Sequence, residues 1–224
     1  MPRMELIAQG RDADVYALDG TRVLRRYRDG GPPTGPEARV MTYLAEKGYP
    51  VPRVHDVTDT DMVLERLTGP TMLDEMARRP WRVTALGREL GRLHDRLHAV
   101  PAPEWLRERF TTGADDRVLH LDLHPGNVLL TERGPVVIDW SNAAAGDPAA
   151  DVAMTVVTVA SAVVPGLTVR LARGLLLHGL RSGSRTDPSH RMRDAARQKL
   201  NDPNLRPKEA AWLHRLAAGA GAGD

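Results

Sequence analysis

Short strands dominate the hydrophobic pattern of the first 68 residues. Apolar residues occur there in brief runs or alternate with polar ones, as strands with one buried face require. Such runs occupy residues 4–8, 15–18, 21–27, 53–57 and 62–67. Asp19-Gly20 joins the second run to the third and is a strong signal for a tight hairpin. The pattern therefore predicts a small sheet of five strands.

A single helix interrupts this strand pattern. Thr34 and Glu37 have the spacing of a capping box, in which two side chains satisfy the first free amides of a helix. Pro36 fits the first turn, and Gly48 is placed to end the helix. Because strands and one helix share this region, we expect a small α+β lobe over residues 1–68.

Helical periodicity replaces strand alternation after the break at Gly69-Pro70. One apolar stripe advances in steps of three and four residues, through Val83, Leu86, Leu90, Leu93 and Leu97. His94 and His98 lie beside this stripe, and we interpret them as residues on the flank of a helix. Further helices are predicted from residue 151, over residues 167–180, from residue 188 and from residue 207. Residues 69–224 should therefore form a second, mainly helical lobe.

A polar segment lies between two apolar runs in the middle of the chain. It reads HLDLHPGNVLL over residues 120–130, and VVIDW follows over residues 136–140. Two short strands are expected to flank the polar loop. On a strand, His120, Asp122 and His124 would face one side and could bind a transition metal. A Pro-Gly turn follows at once, however, and the other histidines lack ligand-like spacing, so a metal-dependent hydrolase explains little of the segment.

Phosphoryl transfer from ATP accounts for more of these residues. It needs Mg²⁺ between phosphate oxygens, a carboxylate aimed at the acceptor hydroxyl, and a cation on the phosphates. Asp122 lies where a catalytic loop could present it, and Asn127, five residues on, offers a neutral oxygen ligand. Asp139 ends an apolar strand pattern and offers a carboxylate. A carboxylate buried there without a partner would destabilise the fold, so a functional role explains it better.

Composition excludes some classes of protein. The chain of 224 residues contains no cysteine, so disulfides and thiolate metal sites are excluded. Residues 152–169 carry no charge and approach the length of a membrane span. Pro165-Gly166 interrupts that run, which favours a buried helix. We therefore expect a cytoplasmic protein with no membrane partner.

Charge is distributed unevenly along the chain. The formal net charge is +2, but residues 1–151 hold 20 Lys/Arg against 24 Asp/Glu, whereas residues 152–224 hold 11 against 5. A basic tail can contact nucleic acid. Its aromatic residues are limited to Trp212, and no nucleic-acid motif is present. A solvated basic face, with no nucleic-acid partner, is the simpler interpretation.

The segment HLDLHPGNVLL…VVIDW resembles the catalytic and metal-binding segment of the aminoglycoside phosphotransferase family, small-molecule kinases with a protein-kinase-like fold. LGRLHDRLHAV over residues 90–100 and AAAGDPAADVA over residues 143–153 resemble segments that flank it in the family. The resemblance implies a two-lobe α+β fold, with an antiparallel sheet in the first lobe and helices in the second. It also implies ATP as phosphoryl donor, with GTP left open, Mg²⁺ as cofactor and a small hydroxylated acceptor. The sequence does not indicate an oligomeric state.

The resemblance implies a role for each residue of the polar segment. Asp122 would orient the acceptor hydroxyl or accept its proton, and Asn127 and Asp139 would hold Mg²⁺. Three further residues would support the catalytic loop, namely His120, His124 and Asp151. Asp151 is also expected to cap the helix that follows it.

In the first lobe, the resemblance implies a nucleotide site. VLERL would be the hinge, with the Glu65 carbonyl and the Leu67 amide meeting the adenine edge. Val23 would form the adenine wall, and Arg25 on the same strand face would bind phosphate. Glu37 on the helix is placed to pair with that cation.

Two features depart from the family pattern. Arg25 stands where the family has a phosphate-binding lysine, and these two cations are not interchangeable. The expected phosphate-covering loop, AQGRDADVY, has one glycine, Gly10, and carries Asp12 and Asp14, which would repel phosphate unless turned away. An inactive pseudokinase that binds nucleotide or ligand therefore remains the alternative. A protein kinase is disfavoured, since GDPAAD begins seven residues after Asp139 and leaves no room for a long activation segment.

The basic tail bears on the acceptor. Aminoglycosides are polycations, and a pocket for them needs an excess of carboxylates. Because residues 152–224 would build much of the acceptor side, we expect a neutral or anionic acceptor and poor turnover of aminoglycosides.

Overall fold

The chain folds into two compact units. The computed structural model describes residues 5–9, 13–28, 31–112, 115–164 and 166–219. The sheet unit comprises residues 1–70 and 128–141, and the helical unit comprises residues 71–127 and 142–224. Residues 128–141 thus belong to the sheet unit although they come late in the sequence. A single boundary near residue 68 therefore does not separate the two units.

The secondary structure alternates short strands with helices. In chain order the elements are β1 (Glu5–Gln9), β2 (Ala13–Ala17), β3 (Arg22–Tyr27), α1 (Thr34–Glu46), β4 (Val54–Val57), β5 (Asp61–Glu65), α2 (Met72–Arg78), α3 (Val83–His98), β6 (Arg117–Leu119), β7 (Val128–Thr131), β8 (Gly134–Val137), β9 (Ala144–Gly146), α4 (Pro148–Ser161), α5 (Leu167–Gly183), α6 (Met192–Lys199) and α7 (Pro207–Ala217). Single 3-10 turns cover Pro80–Arg82, Pro125–Asn127 and Ser189–Arg191.

The sheet unit contains the five strands that alternation predicts. They form one antiparallel sheet in the order β1-β2-β3-β5-β4. The β7–β8 hairpin joins the same unit through two backbone bonds of 2.9 Å, from the Leu130 amide to the Pro70 carbonyl and from the Val137 amide to the Pro50 carbonyl. The sheet side of the fold therefore follows directly from the period-two pattern.

Helix α1 begins near the predicted residue, but the predicted capping box is wrong. The N-cap is Pro33, which makes no side-chain cap bond. The Thr34 hydroxyl instead donates to the Thr58 carbonyl, and the Glu37 carboxylate turns to Arg25 and Tyr27. The spacing matched the motif because a buried acid happens to lie three residues after a threonine.

Helices α3 and α5 of the helical unit pack with almost no side chain between them. Glycines recur at four-residue steps on both, as GRELG on α3 and GLRSG on α5. A Cβ at Gly87 would lie 2.5 Å from the Leu176 carbonyl oxygen, and one at Gly91 would lie 2.6 Å from that of Leu180. Real Cβ atoms do not approach so closely, so glycine is required for this backbone contact.

A buried apolar cluster lies beneath the polar loop of the helical unit. It brings Leu119 and Leu121 against Val157 of α4 and Leu213 of α7, with Trp212 partly buried beside them. The loop that carries Asp122 therefore begins on a rigid base.

The uncharged run of residues 152–169 does not form one long helix. It supplies most of α4 and the start of α5, and Gly166 is the N-cap of α5. Pro165 lies outside the described residues. In the part of the chain that the structure describes, no helix is both long and apolar enough to cross a membrane.

Candidate active site

The polar loop after β6 turns back on itself instead of continuing as a strand. The His124 amide donates to the Asp122 carbonyl at 2.9 Å, and the Asn127 amide donates to the His124 carbonyl at the same distance. β6 ends at Leu119, so His120, Asp122 and His124 do not share one face of a strand. These three residues therefore lack the arrangement on which the interpretation as a metal-dependent hydrolase rested.

Asp122 presents a partly exposed carboxylate on this loop, with 28% of its side chain accessible. The Asn127 side-chain nitrogen donates to the Asp122 carbonyl at 2.9 Å and lies 3.4 Å from its carboxylate. The His124 Nε2 atom is 3.8 Å from the same carboxylate. Because the Asn127 nitrogen is committed to Asp122, the amide oxygen is the atom that Asn127 can offer to a cation.

Both histidines of the loop bond to its backbone. The His120 Nδ1 atom accepts the Asp122 amide at 3.2 Å, and the His124 Nδ1 atom accepts the Gly126 amide at 3.0 Å. His120 is fully buried. The two imidazoles therefore stabilise the turn by accepting its backbone amides.

Asp151 anchors the loop from α4. Its fully buried carboxylate accepts the His120 amide at 3.2 Å and the Leu121 amide at 2.6 Å. Leu121 has φ 63°, which is unfavourable for a side chain with a Cβ. The charge-assisted bond to Asp151 holds that conformation immediately before Asp122.

Asp151 does not cap α4, and that prediction is wrong. The helix begins three residues earlier than predicted, at Pro148. Asp147 is the N-cap, since its side chain accepts the Ala149 amide at 2.9 Å. Asp151 faces the loop from the first turn, where a carboxylate is favoured.

Two histidines of α3 complete the surroundings of Asp151. His98 Nε2 lies 3.0 Å from the carboxylate and His94 Nδ1 lies 3.5 Å from it. Burial raises the pKa of Asp151, but hydrogen bonds and charge from the two histidines outweigh it and hold that pKa well below its usual range. Burial lowers the pKa of His94 despite the nearby carboxylate.

Thr155 links His94 to the other side of the loop. Its hydroxyl donates to the Leu123 carbonyl at 2.8 Å and lies 3.0 Å from His94 Nε2. The His94 Nε2 atom and the Thr155 hydroxyl are thus hydrogen-bond partners. Residues on both sides of Asp122 are thus tied to α3 and α4.

In the sheet unit, Arg25 of β3 pairs with Glu37 of α1, as the sequence predicts. The two side chains meet at 2.5 Å, and a second guanidinium nitrogen lies 3.4 Å from the Asp139 carboxylate. Burial lowers the pKa of Arg25, but Glu37 and Asp139 outweigh it, and the net shift is upward. The neighbouring Arg26 pairs with Asp61 instead, so the two arginines have different partners.

Glu37 connects three elements of the sheet unit. Besides Arg25, its carboxylate accepts the Tyr27 hydroxyl at 3.0 Å and the Trp140 amide at 3.0 Å. Burial and the adjacent Glu37 carboxylate raise the pKa of Tyr27. The bond to Trp140 fixes the backbone immediately after Asp139.

Asp139 is less buried than its sequence context suggested. β8 ends at Val137, two residues before it, and 42% of the Asp139 side chain is exposed. Its φ is 65°, and Ser141 donates to its carboxylate at 2.9 Å. The carboxylate therefore has accessible surface while its backbone is held by neighbours.

Of the remaining residues of the predicted nucleotide site, Val23 and Glu65 lie on adjacent strands, and Leu67 follows the second strand. Val23 is buried on β3, on the same face as Arg25 and opposite Leu64 of β5. Glu65 ends β5, and its side chain bonds Arg53 and Arg133. Within the described ranges, the Leu67 amide donates to no protein acceptor.

The glycine-poor loop is only partly described. Asp14 lies on β2 and forms an ion pair with Arg28 at 3.1 Å, so one of the two acids is neutralised locally. Gly10 and Asp12 lie outside the described residues.

Sequence reasoning missed the contributions of α3 and α4 to the site, and that of Trp140 after β8. His94 and His98 were placed on a helix flank, yet His94 is fully buried and both contact Asp151. Thr155 and Trp140 were assigned no part in the site at all. Histidines four residues apart, each next to a leucine of the buried stripe, were the available signal.

Comparison with known proteins relates this geometry to one group. The model of the phosphotransferase enzyme family, APH, matches residues 3–116 and 102–189. No curated protein sequence matches the chain. Many solved structures do share the fold.

Three of these structures illustrate the likeness. The aminoglycoside phosphotransferase APH(4)-Ia is 19% identical with a TM-score of 0.65, and the match covers 100% of this chain and 94% of that one. A choline/ethanolamine kinase family protein from Mesorhizobium loti is 17% identical with a TM-score of 0.60, covering 98% and 87%. The amicoumacin kinase hAmiN, in complex with AMP-PNP, Ca²⁺ and Ami, is 16% identical with a TM-score of 0.56, covering 98% and 88%.

The structural matches establish the protein-kinase-like α+β fold. The family model spans most of the sequence, including the Asp122 loop and the Asp139 segment. The chain belongs to the phosphotransferase enzyme family, APH.

Proposed function

We propose that this protein transfers the terminal phosphoryl group of ATP to a hydroxyl group of a small molecule. The observation that carries the proposal is the Asp122 loop, in which a partly exposed carboxylate stands on a backbone bonded to His120, His124, Asn127 and Asp151. So many bonds around one short loop serve positioning, which is the main task in phosphoryl transfer.

Asp122 acts on the acceptor in this proposal. Its carboxylate receives the hydroxyl proton, or holds the hydroxyl by a hydrogen bond, while the oxygen attacks the terminal phosphorus. The bond from that phosphorus to the bridging oxygen breaks, and ADP leaves. His124 and Asn127 keep the carboxylate oriented, because both lie within 3.8 Å of it.

In this proposal, residues of the sheet unit bind the nucleotide. Arg25 supplies a permanent cation whose direction is fixed by Glu37, with 16% of the side chain exposed. The Leu67 amide and the Glu65 carbonyl contact the adenine edge, and Val23 packs against the ring. The local pairing of Asp14 with Arg28 favours this role, since it reduces repulsion of phosphate.

Asp139 and Asn127 would hold Mg²⁺. Carboxylate and amide oxygens are the ligands that this ion prefers, and the Asp139 carboxylate is partly exposed while its backbone is fixed. Held there, Mg²⁺ would supply charge neutralisation for the phosphate oxygens. The structural neighbour hAmiN, in complex with AMP-PNP and Ca²⁺, supports the use of a nucleotide together with a divalent ion.

A neutral or anionic acceptor is part of the proposal. The structural neighbours include a choline/ethanolamine kinase family protein and aminoglycoside enzymes, so the fold alone does not select a substrate. The excess of 11 Lys/Arg over 5 Asp/Glu in residues 152–224 disfavours polycations.

The alternative is a nucleotide-binding module without turnover. The arginine at position 25 favours it, because a guanidinium and an ammonium place their donors differently. The extensive bracing of Asp122 favours catalysis, since a binding module has no need to orient that carboxylate.

The test is ATP consumption over a panel of aminoglycosides, neutral sugars, amino alcohols and hydroxy acids, with products identified by mass spectrometry. A phosphorylated neutral or anionic acceptor is expected. Binding of ATP with no turnover on any member would favour the binding module. In parallel, Asp139→Asn should weaken ATP binding in the presence of Mg²⁺ much more than in its absence, and equal losses would remove its metal role.

A further inference from the structure

A basic cavity lies at the far end of α4, away from the Asp122 loop. It has a volume of about 490 Å³, within the range of small-molecule sites. Its walls come from the α4–α5 connection, from α5 and from α7. Ten residues of helix separate Asp151 from Ser161 at the cavity, which is about 15 Å at 1.5 Å per residue. The cavity is therefore not the place where Asp122 would meet its acceptor.

Four cationic side chains and one indole line this cavity. They are Arg170 and Arg173 of α5, and Lys208, Trp212 and Arg215 of α7. Among the residues that the structure describes, none of the four cations forms an ion pair with a carboxylate. Like charges gathered on one concave surface repel each other and raise the local potential, which favours a bound anion.

Local roles explain only one of these cations. Arg173 donates to the Ala160 and Ala162 carbonyls at 3.1 Å and 3.0 Å, so it caps the end of α4. Arg170, Lys208 and Arg215 have no comparable partner in the described part of the chain. Glu209 forms no ion pair with these cations within the described residues; its carboxylate accepts the backbone amides of Val163 and Arg206, and its single charge leaves a net positive charge at the cavity.

We propose that this cavity binds a small molecule carrying at least two negative charges, as phosphate or carboxylate groups. The cations supply charge-assisted hydrogen bonds to its oxygens. Trp212 supplies a flat apolar wall, because one part of its side chain packs on the core cluster and another part lines the cavity. Such a ligand connects α7 to the α4–α5 segment. This site is independent of the proposed phosphoryl transfer.

The probes are inorganic pyrophosphate and citrate, which separate phosphate from carboxylate ligands. Each is titrated into the full chain by calorimetry and by NMR of the tryptophan indole groups, with Trp212→Phe used to assign the Trp212 signal. The cavity variant is Arg170→Gln with Lys208→Gln, which spares Arg173. The control is Arg181→Gln with Arg193→Gln, which removes the same charge from exposed positions outside the cavity. Melting temperatures without probe verify that both variants are folded.

Binding of either probe should shift the Trp212 indole signal and leave those of Trp81, Trp105 and Trp140 in place. The cavity variant should bind at least about tenfold more weakly, as expected for losing charged hydrogen-bond donors, while the control binds as the parent does. The proposal is overturned if neither probe moves the Trp212 signal, or if the control variant loses as much affinity as the cavity variant.

Discussion

The Asp122 loop of the helical unit and the Asp139 segment of the sheet unit fix the backbone of an aspartate in the same way. In each, a residue at or next to the acid has a positive φ, 63° at Leu121 and 65° at Asp139. In each, a buried carboxylate on a helix accepts a backbone amide beside the acid. Asp151 of α4 accepts the amides before Asp122, and Glu37 of α1 accepts the amide after Asp139.

We call these two buried carboxylates, Asp151 and Glu37, the anchors. They differ in the groups that balance their charge. Asp151 is surrounded by the imidazoles of His94 and His98, whereas Glu37 is paired with the permanent cation of Arg25. Histidine changes its charge near neutral pH and arginine does not. The comparison teaches that one anchor is sensitive to acid, while the other is coupled to a cation that we assign to the nucleotide.

The largest expected effect is the loss of the Asp151 anchor. Asp151→Ala leaves two buried amides without an acceptor and removes the partner of two histidines, which should cost about 3–5 kcal/mol of unfolding free energy. Urea denaturation of the full chain measures this loss of unfolding free energy. Asp147→Ala, which removes a more exposed cap on the same helix, should cost clearly less, and equal losses would show that Asp151 is no special anchor.

The corresponding change in the sheet unit should be smaller. Glu37→Gln keeps an acceptor for Trp140 but removes the charge that pairs with Arg25, which should cost about 1.5–3 kcal/mol. The dissociation constant for ATP should also rise, because Arg25 loses its direction. Glu46→Gln on the same helix is the control. Unchanged ATP affinity in Glu37→Gln would separate this ion pair from nucleotide binding.

A pH titration should distinguish the anchors directly. The pKa of His94 is lowered by burial and by His98, against the opposing effects of Asp151 and Asp95. The unfolded state therefore binds more protons as pH falls below about 6.5, and the helical unit loses stability towards acid. Asp151, whose pKa is also lowered, adds a loss of the same sign below about pH 4.

Hydrogen exchange of two amides provides the measurement. After correction for intrinsic rates, protection of the Leu121 amide should fall between pH 7 and pH 5, while that of Trp140 should change little. His94→Gln should flatten the response at Leu121. Parallel losses at both amides would contradict the distinction between the two anchors.

The smallest effect is expected at Tyr27, whose hydroxyl is a neutral donor to the Glu37 carboxylate. Tyr27→Phe removes one bond of 3.0 Å and should cost about 1 kcal/mol. Tyr16→Phe on the neighbouring strand is the matched control. A cost at Tyr27 as large as that of Glu37→Gln would show that the hydroxyl, not Arg25, stabilises the carboxylate.

Strand alternation and helix periodicity predicted most of the fold, because burial imposes those periods on the sequence. The five strands, α1 and the order of the later helices follow from them. The start of α4 did not, since Asp147 and Asp151 are both plausible caps and only tertiary contacts decide between them. The strand β9 and its pairing with β6 involve residues that carry no local signal.

The site was predictable where side chains act within a short segment. Asp122, Asn127 and Asp139 stand out by residue type and spacing, and the pairing of Arg25 with Glu37 follows from strand and helix faces. The bonds of His94 and His98 to α4, and of Thr155 to the loop, join residues more than 25 positions apart. No local pattern specifies such contacts, because they depend on how α3 and α4 pack.

The most direct test of the account is steady-state turnover of Asp122→Ala, measured with the acceptor found in the panel. Asp187→Ala, an exposed acid in the same unit, controls for the loss of a carboxylate. Loss of a positioned acid–base group should cut turnover by roughly 10² or more, while the dissociation constant for ATP stays unchanged. Near-wild-type turnover in Asp122→Ala would contradict the central claim that this carboxylate positions the acceptor.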